Sequence, residues 1–210
     1  MTTRAVFLDA LGTLVELEPP WVHLAASLGT EPDRRLVDAV RAEMSYYKEH
    51  AHEGRDAASL ADLRRRCAEL LSRELGRKVN VETMMAAIRF RPFPDAAPAL
   101  ARLRELRLRL VCVSNWDISL PDILESCGLR SPLAAVVSSA AAGARKPDPT
   151  IFKPALEAAG CAPAEALHVG DTASEDVDGA RAAGIRALLI DRDGGDGIAS
   201  LAEIEDHLEP

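Results

Sequence analysis

Aromatic rings are scarce in this chain: two Trp, two Tyr and four Phe among 210 residues. A surface that stacks the bases of single-stranded nucleic acid needs more rings than that. Positive charge in excess is lacking too. The net charge of −8 argues against a general affinity for phosphate backbones, but leaves room for a small anionic substrate in a locally positive pocket. No apolar run approaches the roughly 20 residues of a membrane helix. The four cysteines, Cys67, Cys112, Cys127 and Cys161, are widely spaced and form no CxxC pair. That spacing fits neither a zinc site nor a disulfide framework. Cys112 lies in an apolar run and reads as a small buried hydrophobe. No signal-peptide pattern stands before the first apolar run. The expectation is a cytoplasmic, reduced protein with no nucleic-acid or membrane partner, acting as a monomer or homodimer on a small anionic molecule.

Apolar residues make up 48 % of the chain, enough for a sizeable core. The length suits one α/β domain with an insertion, or two small domains. Short apolar runs recur at Ala5–Leu8, at LRLVCV before Ser114, at LAAVV before Ser138, at ALHVG before Asp171 and at IRALLI before Asp191. Each run ends in polar or turn-forming residues, and helical stretches alternate with them. That alternation predicts a doubly wound parallel α/β sheet, which binds ligands at the carboxyl ends of its strands. Residues 16–93 differ. They show no convincing strand and read as amphipathic helices near 21–28, 32–50, 57–75 and 81–89, with Gly76 ending the third. The PFPD stretch at 92–95 marks the return to the sheet.

Four groups of residues could carry chemistry. Asp9 ends the first apolar run and faces a Gly-Thr turn; a carboxylate with a reference pKa of about 3.9 is ionised at neutral pH and can attack an electrophile without a helper base. Ser114 and Asn115 end the second run, where a hydroxyl can bond a substrate oxygen. Lys146 precedes the rigid PDP turn and can neutralise an anionic nucleophile and substrate. Asp171 and Asp176 flank a strand-helix junction and suit a hard cation such as Mg²⁺. Each has a plainer reading alone: a turn acid, a helix cap, a solvated lysine, a favourable charge at a helix start. Together they form a pattern, because they fall in order at the ends of successive predicted strands. His168, inside a predicted strand, reads as structural.

The segments VFLDALGTL, VCVSNWD, ARKPDPTIF and HVGDTASEDVDGARAAG resemble, in the same order, the haloacid dehalogenase superfamily of hydrolases. The resemblance covers residues 1–15 and 94–210, which it casts as a Rossmann-like catalytic core. It casts residues 16–93 as an inserted helical cap of the C1 type. It implies that Asp9 forms a covalent ester or phosphate that water hydrolyses. Ser114, Asn115 and the Thr13 region would bind the transferring group, and Lys146 would offset charge. In phosphatase branches Mg²⁺ would sit on Asp9, the carbonyl of Leu11, Asp171 and, often indirectly, Asp176. SNWD with KPDP is similar to a phosphatase-like branch that includes haloacid dehalogenase-like hydrolase domain-containing protein 3 of vertebrates.

One departure matters. Most phosphatases of the superfamily carry a second Asp where this chain has Leu11. Leucine cannot protonate a leaving alkoxide, a service worth roughly 10²–10⁴ in rate. The expectation is still an Mg²⁺-dependent phosphatase for a small phosphorylated metabolite, because Asp171 is retained. The alternatives are a 2-haloacid dehalogenase, with Arg41 holding a substrate carboxylate, and a catalytically weakened binding or regulatory protein. Arg41 also reads as a solvated face, as do Arg64, Arg65 and Arg66. Candidates for facing the core from the cap are Trp21, His23, Tyr46, Tyr47, Lys48, His50 and Arg55, with Trp116 available as a further ring.

Overall fold

A computed structural model describes residues 2–209. Five parallel strands form the main sheet in the order β5-β4-β1-β6-β7. They are β1 (Ala5–Leu8), β4 (Arg109–Ser114), β5 (Ala135–Ser138), β6 (Ala166–Gly170) and β7 (Arg186–Leu189). The first strand in sequence is thus the central one, in the parallel sheet that the apolar runs predicted. Its side chains alternate between the two faces, as extended backbone requires. Val6 and Leu8 join one core with Leu100, Leu103, Leu120 and Leu124. These leucines lie on α5 (Ala96–Glu105) and α6 (Leu120–Ser126). Ala5 and Phe7 join the other core with Ile151, Phe152, Ala155 and Ala180. Ala155 belongs to α8 (Lys153–Ala159) and Ala180 to α9 (Asp178–Ala182). Helices therefore cover both faces, which is why β1 is apolar at every position. Phe7 and Leu8 are wholly buried, and each such side chain contributes about 1.5–3 kcal/mol relative to exposure. Cys112 is buried as expected.

Four helices follow the first turn: α1 (Pro20–Leu28), α2 (Arg34–His50), α3 (Ala57–Leu75) and α4 (Val81–Ala87). They pack on each other through a third apolar cluster that includes Leu24, Leu36, Val40, Leu63, Leu71 and Met84. Their ends follow local chemistry. Asp33 caps α2 by accepting from Leu36 N, so the helix starts two residues later than the pattern suggested. Asp56 and Ser59 form a reciprocal cap on α3. Gly76 ends α3 at φ 66°, a left-handed conformation that glycine adopts at little cost.

The sequence reading found no strand in 16–93, and the structure corrects it. β2 (Val15–Leu17) and β3 (Phe90–Pro92) pair antiparallel, with Glu16 opposite Arg91 and their side chains bridged at 2.9 Å. The pair spans the two crossings between sheet and helices. At three residues each, with Pro92 in one, neither strand is long enough to show an alternating pattern. The final helical segment is a 3₁₀ turn, Leu201–His207. Among the described residues, no helix is long and apolar enough to cross a membrane.

Candidate active site

Three neighbouring strands of the sheet end beside one another and deliver three polar residues to one place. β1 hands over to Asp9, β4 ends on Ser114 and β6 is followed by Asp171. Asp9 N donates to Val169 O at 2.9 Å, which fixes the start of the turn. Gly12 adopts φ 82°, and a Cβ there would overlap the Asp171 carboxylate. Glycine at 12 is thus needed twice, for the turn and for the close approach of the two acids.

Lys146 reaches this point from the loop after β5 and α7 (Ser139–Ala142). Its side chain is buried, and its Nζ donates to Asp9 Oδ1 at 2.5 Å, Asp176 Oδ1 at 2.5 Å and Val113 O at 3.1 Å. All three ammonium protons are therefore used. Burial works to lower the Lys146 pKa, but Asp9 and Asp176 outweigh it and hold it above its ordinary value. Burial pushes Asp9 up, Lys146 opposes that, and the hydroxyl of Ser114 donates to the carboxylate as well. Asp176 goes the other way. Burial would raise it, yet the hydrogen bond from His168 and the charge of Lys146 hold it well below the usual carboxylate range. His168 Nε2 lies 2.8 Å from Asp176 Oδ1. An ionised Asp176 makes that nitrogen the donor. His168, read from the sequence as structural, is buried in β6 and holds Asp176 through this bond.

Asn115 does something the sequence did not suggest. Its Oδ1 accepts from Lys146 N at 2.7 Å, and its Nδ2 donates to Lys146 O at 3.0 Å and to Glu175 Oε2 at 2.9 Å. It grips the backbone of Lys146. Thr13 is wholly buried, and its Oγ1 has no partner among the described residues.

Oxygens of Asp9, Asp171 and Asp176 lie within 4.8 Å of one another. Loss of solvation, with the charges of Asp9 and Asp176, pushes Asp171 up to about 6. Clustered carboxylates of this kind suit a hard divalent cation. The two oxygens of Asp176 are already engaged, Oδ1 by Lys146 and His168 and Oδ2 by Thr172 N at 3.0 Å. Asp9 and Asp171 are the acids open to a metal.

These groups open on a cavity of about 380 Å³ between the sheet and the inserted helices. Much of the remaining lining is apolar, formed by Met44, Met84, Met85, Ile88, Phe90 and Trp116. Of the seven candidates for facing the core, Tyr47 and Lys48 line this cavity. Tyr47 Oη donates to Asp117 Oδ2 at 2.8 Å, joining α2 to the loop after β4. Arg41 is exposed and lies over the Trp21 ring at 5.7 Å. The solvated-face reading of 64–66 needs correction. Arg64 lines the cavity, and Arg66 is half-buried against Tyr46 and Glu53.

Two residues escaped the sequence reading. Glu43 lines the cavity from α2 and is 6 % exposed. Leu36, Ala39, Val40 and Glu43 share one face at helical spacing, so the period itself placed this acid inward. Arg192 donates to Thr13 O at 2.6 Å and Gly12 O at 3.3 Å and pairs with Asp95 at 3.1 Å, its guanidinium 3.7 Å above the Phe93 ring. It holds the turn that follows Asp9.

The comparisons agree with this geometry. The haloacid dehalogenase-like hydrolase family model matches residues 3–184. Haloacid dehalogenase-like hydrolase domain-containing protein 3 of Bos taurus is 45 % identical over 95 residues, 45 % of this chain and 38 % of that protein. A phosphoserine phosphatase of Thermus thermophilus is 41 % identical over 108 residues, 50 % of this chain and 42 % of the relative. Both matches span less than half of the relative's length. The crystal structure of the L-2-haloacid dehalogenase RSc1362 superimposes with a TM-score of 0.75 at 20 % identity over 99 % of each chain, which shows the shared fold. Sheet order, site residues and the family match lead to one conclusion: the chain belongs to the haloacid dehalogenase-like hydrolase family of enzymes.

Proposed function

We propose that this chain is a divalent-metal-dependent phosphatase for a small phosphorylated molecule, with Asp9 as nucleophile and residues 16–93 as the cap over a core of 1–15 and 94–210. The observation that carries this reading is Asp171 beside Asp9 on the cavity floor, its carboxyl pushed up to about 6 by burial and by neighbouring acids. Lys146 offsets only part of the charge of three clustered carboxylates, and the rest is self-repelling. The cluster's donor set is all oxygen, which fits Mg²⁺, and Asp9, Asp171 and the Leu11 carbonyl would hold it, with Asp176 as a brace. A bound cation would neutralise phosphate charge and orient the phosphorus.

The chain's own groups do the rest. Lys146 favours the ionised form of Asp9 against burial and fixes its rotamer, leaving the second carboxylate oxygen to attack. Ser114 stands where it can bond a phosphate oxygen. Asn115 sets Lys146. Where the cap covers the cavity it would limit water, which would strengthen each of these interactions. The similarity to phosphatases in sequence supports the same reading. Dehalogenation is favoured by Leu11 but not by Arg41, which lies away from the cavity lining.

The test is an assay with p-nitrophenyl phosphate, with and without Mg²⁺, alongside halide release from 2-chloropropionate. The expected result is Mg²⁺-dependent nitrophenolate release, lost in Asp9→Asn. Halide release without metal would establish the dehalogenase instead.

A further inference from the structure

The cavity constrains what would leave from phosphorus, an inference that rests on the phosphatase reading above. Leu11 follows Asp9 by two residues, is 40 % exposed and lines the cavity. It has no proton to give. The neighbouring polar groups on the wall are engaged: Lys48 pairs with Glu175 at 3.7 Å, and Asp171 is taken up by the metal in the phosphatase reading. Asp117 accepts from Tyr47 Oη at 2.8 Å and Ser119 N at 2.6 Å, and Glu175 accepts from Asn115 at 2.9 Å. Lys146 spends its three protons on Asp9, Asp176 and Val113. Glu43 is the remaining lining acid, on α2 beside the thiol of Cys67, to which it is hydrogen-bonded. It lies on the cap side with Met44, Met84 and Met85, and Phe90 and Trp116 extend the apolar lining toward the sheet.

We propose that this site takes phosphomonoesters of acidic hydroxyls, phenols or enols, whose apolar bodies pack on the apolar lining of the cavity, and that it works poorly on phosphates of ordinary alcohols. A carboxylate oxygen of Asp9 bonds to phosphorus as the phosphorus–oxygen ester bond breaks. The leaving oxygen keeps the bonding pair and departs as a phenolate or enolate, stable without a proton, and takes one from water afterwards. Water then adds to phosphorus, the bond to Asp9 breaks, and the products are inorganic phosphate and the free carboxylate. An alkoxide in the same place would forgo an acid worth roughly 10²–10⁴ in rate. The apolar wall selects the body, and the missing acid selects the bond.

The test is kcat/KM with Mg²⁺ for aryl phosphates graded by the acidity of the phenol, and for alkyl phosphates of matched size. Wild type is compared with Leu11→Asp and Glu43→Gln, their folds checked by circular dichroism. Wild type should lose rate steeply as the leaving group becomes less acidic, with alkyl phosphates at least about 10²-fold below p-nitrophenyl phosphate. Leu11→Asp should raise the alkyl-to-aryl ratio at least about tenfold. Glu43→Gln should leave that ratio in place. Leu11 is exposed, so its replacement has no core to disrupt, and the wild-type slope alone suffices if a variant does not fold. A flat slope overturns the proposal. So does a Glu43→Gln enzyme that loses alkyl phosphates selectively, since Glu43 is then the acid. Inactivity toward every phosphate, p-nitrophenyl phosphate included, overturns the phosphatase reading beneath it.

Discussion

Asn115 and Lys146 are joined by two hydrogen bonds, Oδ1 accepting from Lys146 N at 2.7 Å and Nδ2 donating to Lys146 O at 3.0 Å. A side-chain amide here takes the part of a neighbouring strand. It fixes the backbone from which the buried ammonium reaches Asp9. Asn115→Ala should cost about 1–3 kcal/mol of stability, from backbone groups left without partners. It should lower kcat more than it changes KM, because Lys146 loses its aim while the cavity keeps its shape. Denaturant melts and steady-state kinetics on p-nitrophenyl phosphate check both.

Lys146 stands between two buried acids. Lys146→Met fills similar space but leaves Asp9 and Asp176 facing each other without a cation. Breaking a buried ion pair from one side costs about 3–5 kcal/mol. The variant should melt lower and regain part of that loss in acid, where a carboxyl takes up a proton. A melting temperature that does not respond to pH would speak against the arrangement.

Asp171 gives a pH dependence with a definite sign. Its folded pKa, about 6, is raised above the ordinary value of 3.8. Without metal, its contribution favours the fold in acid and is lost as pH rises through the folded pKa. A metal needs the ionised form, so protons compete below about 6. Mg²⁺ should therefore raise the melting temperature more at pH 7.5 than at pH 5. Equal stabilisation at both would remove Asp171 from the metal site.

Arg192 holds the carbonyls of Gly12 and Thr13, adjoining the Leu11 carbonyl proposed as a metal ligand. Groups that orient ligands typically change metal affinity about 10–100-fold when removed. Arg192→Met should weaken Mg²⁺ binding by about tenfold, read by calorimetry. Arg192→Lys should recover little, because one ammonium cannot span two carbonyls and Asp95 in the plane of a fork.

The sheet and the main residues of the site were legible because their chemistry is local. A buried strand that stops at a polar residue is visible in four or five letters, and Asp9, Ser114 and Asp171 each follow that rule, while Lys146 stands out by the rigid PDP turn after it. What the letters hid depends on distant pairings. Asn115 reads as a helix cap until Lys146, far along the chain, folds against it. Arg192 lies in a glycine-rich loop whose partners are residues 12, 13 and 95. β2 and β3 are too short to carry a period, and the cap side chains that line the cavity are set by how α2 and α4 turn toward the sheet. Glu43 was within reach, since helical spacing alone put it on the buried face of α2.

The central claim is a covalent bond from Asp9 to phosphorus. The second half of that chemistry needs a base to take a proton from water, and Leu11 offers none, so the aspartyl phosphate should build up during turnover. The direct measurement is rapid acid quenching of the Mg²⁺-loaded enzyme during turnover of p-nitrophenyl phosphate, followed by mass spectrometry of the peptide that holds Asp9. The account predicts one added phosphoryl group on Asp9, and none in Asp9→Asn. Turnover by Asp9→Asn at the wild-type rate, or a phosphoryl group on another residue, would contradict it.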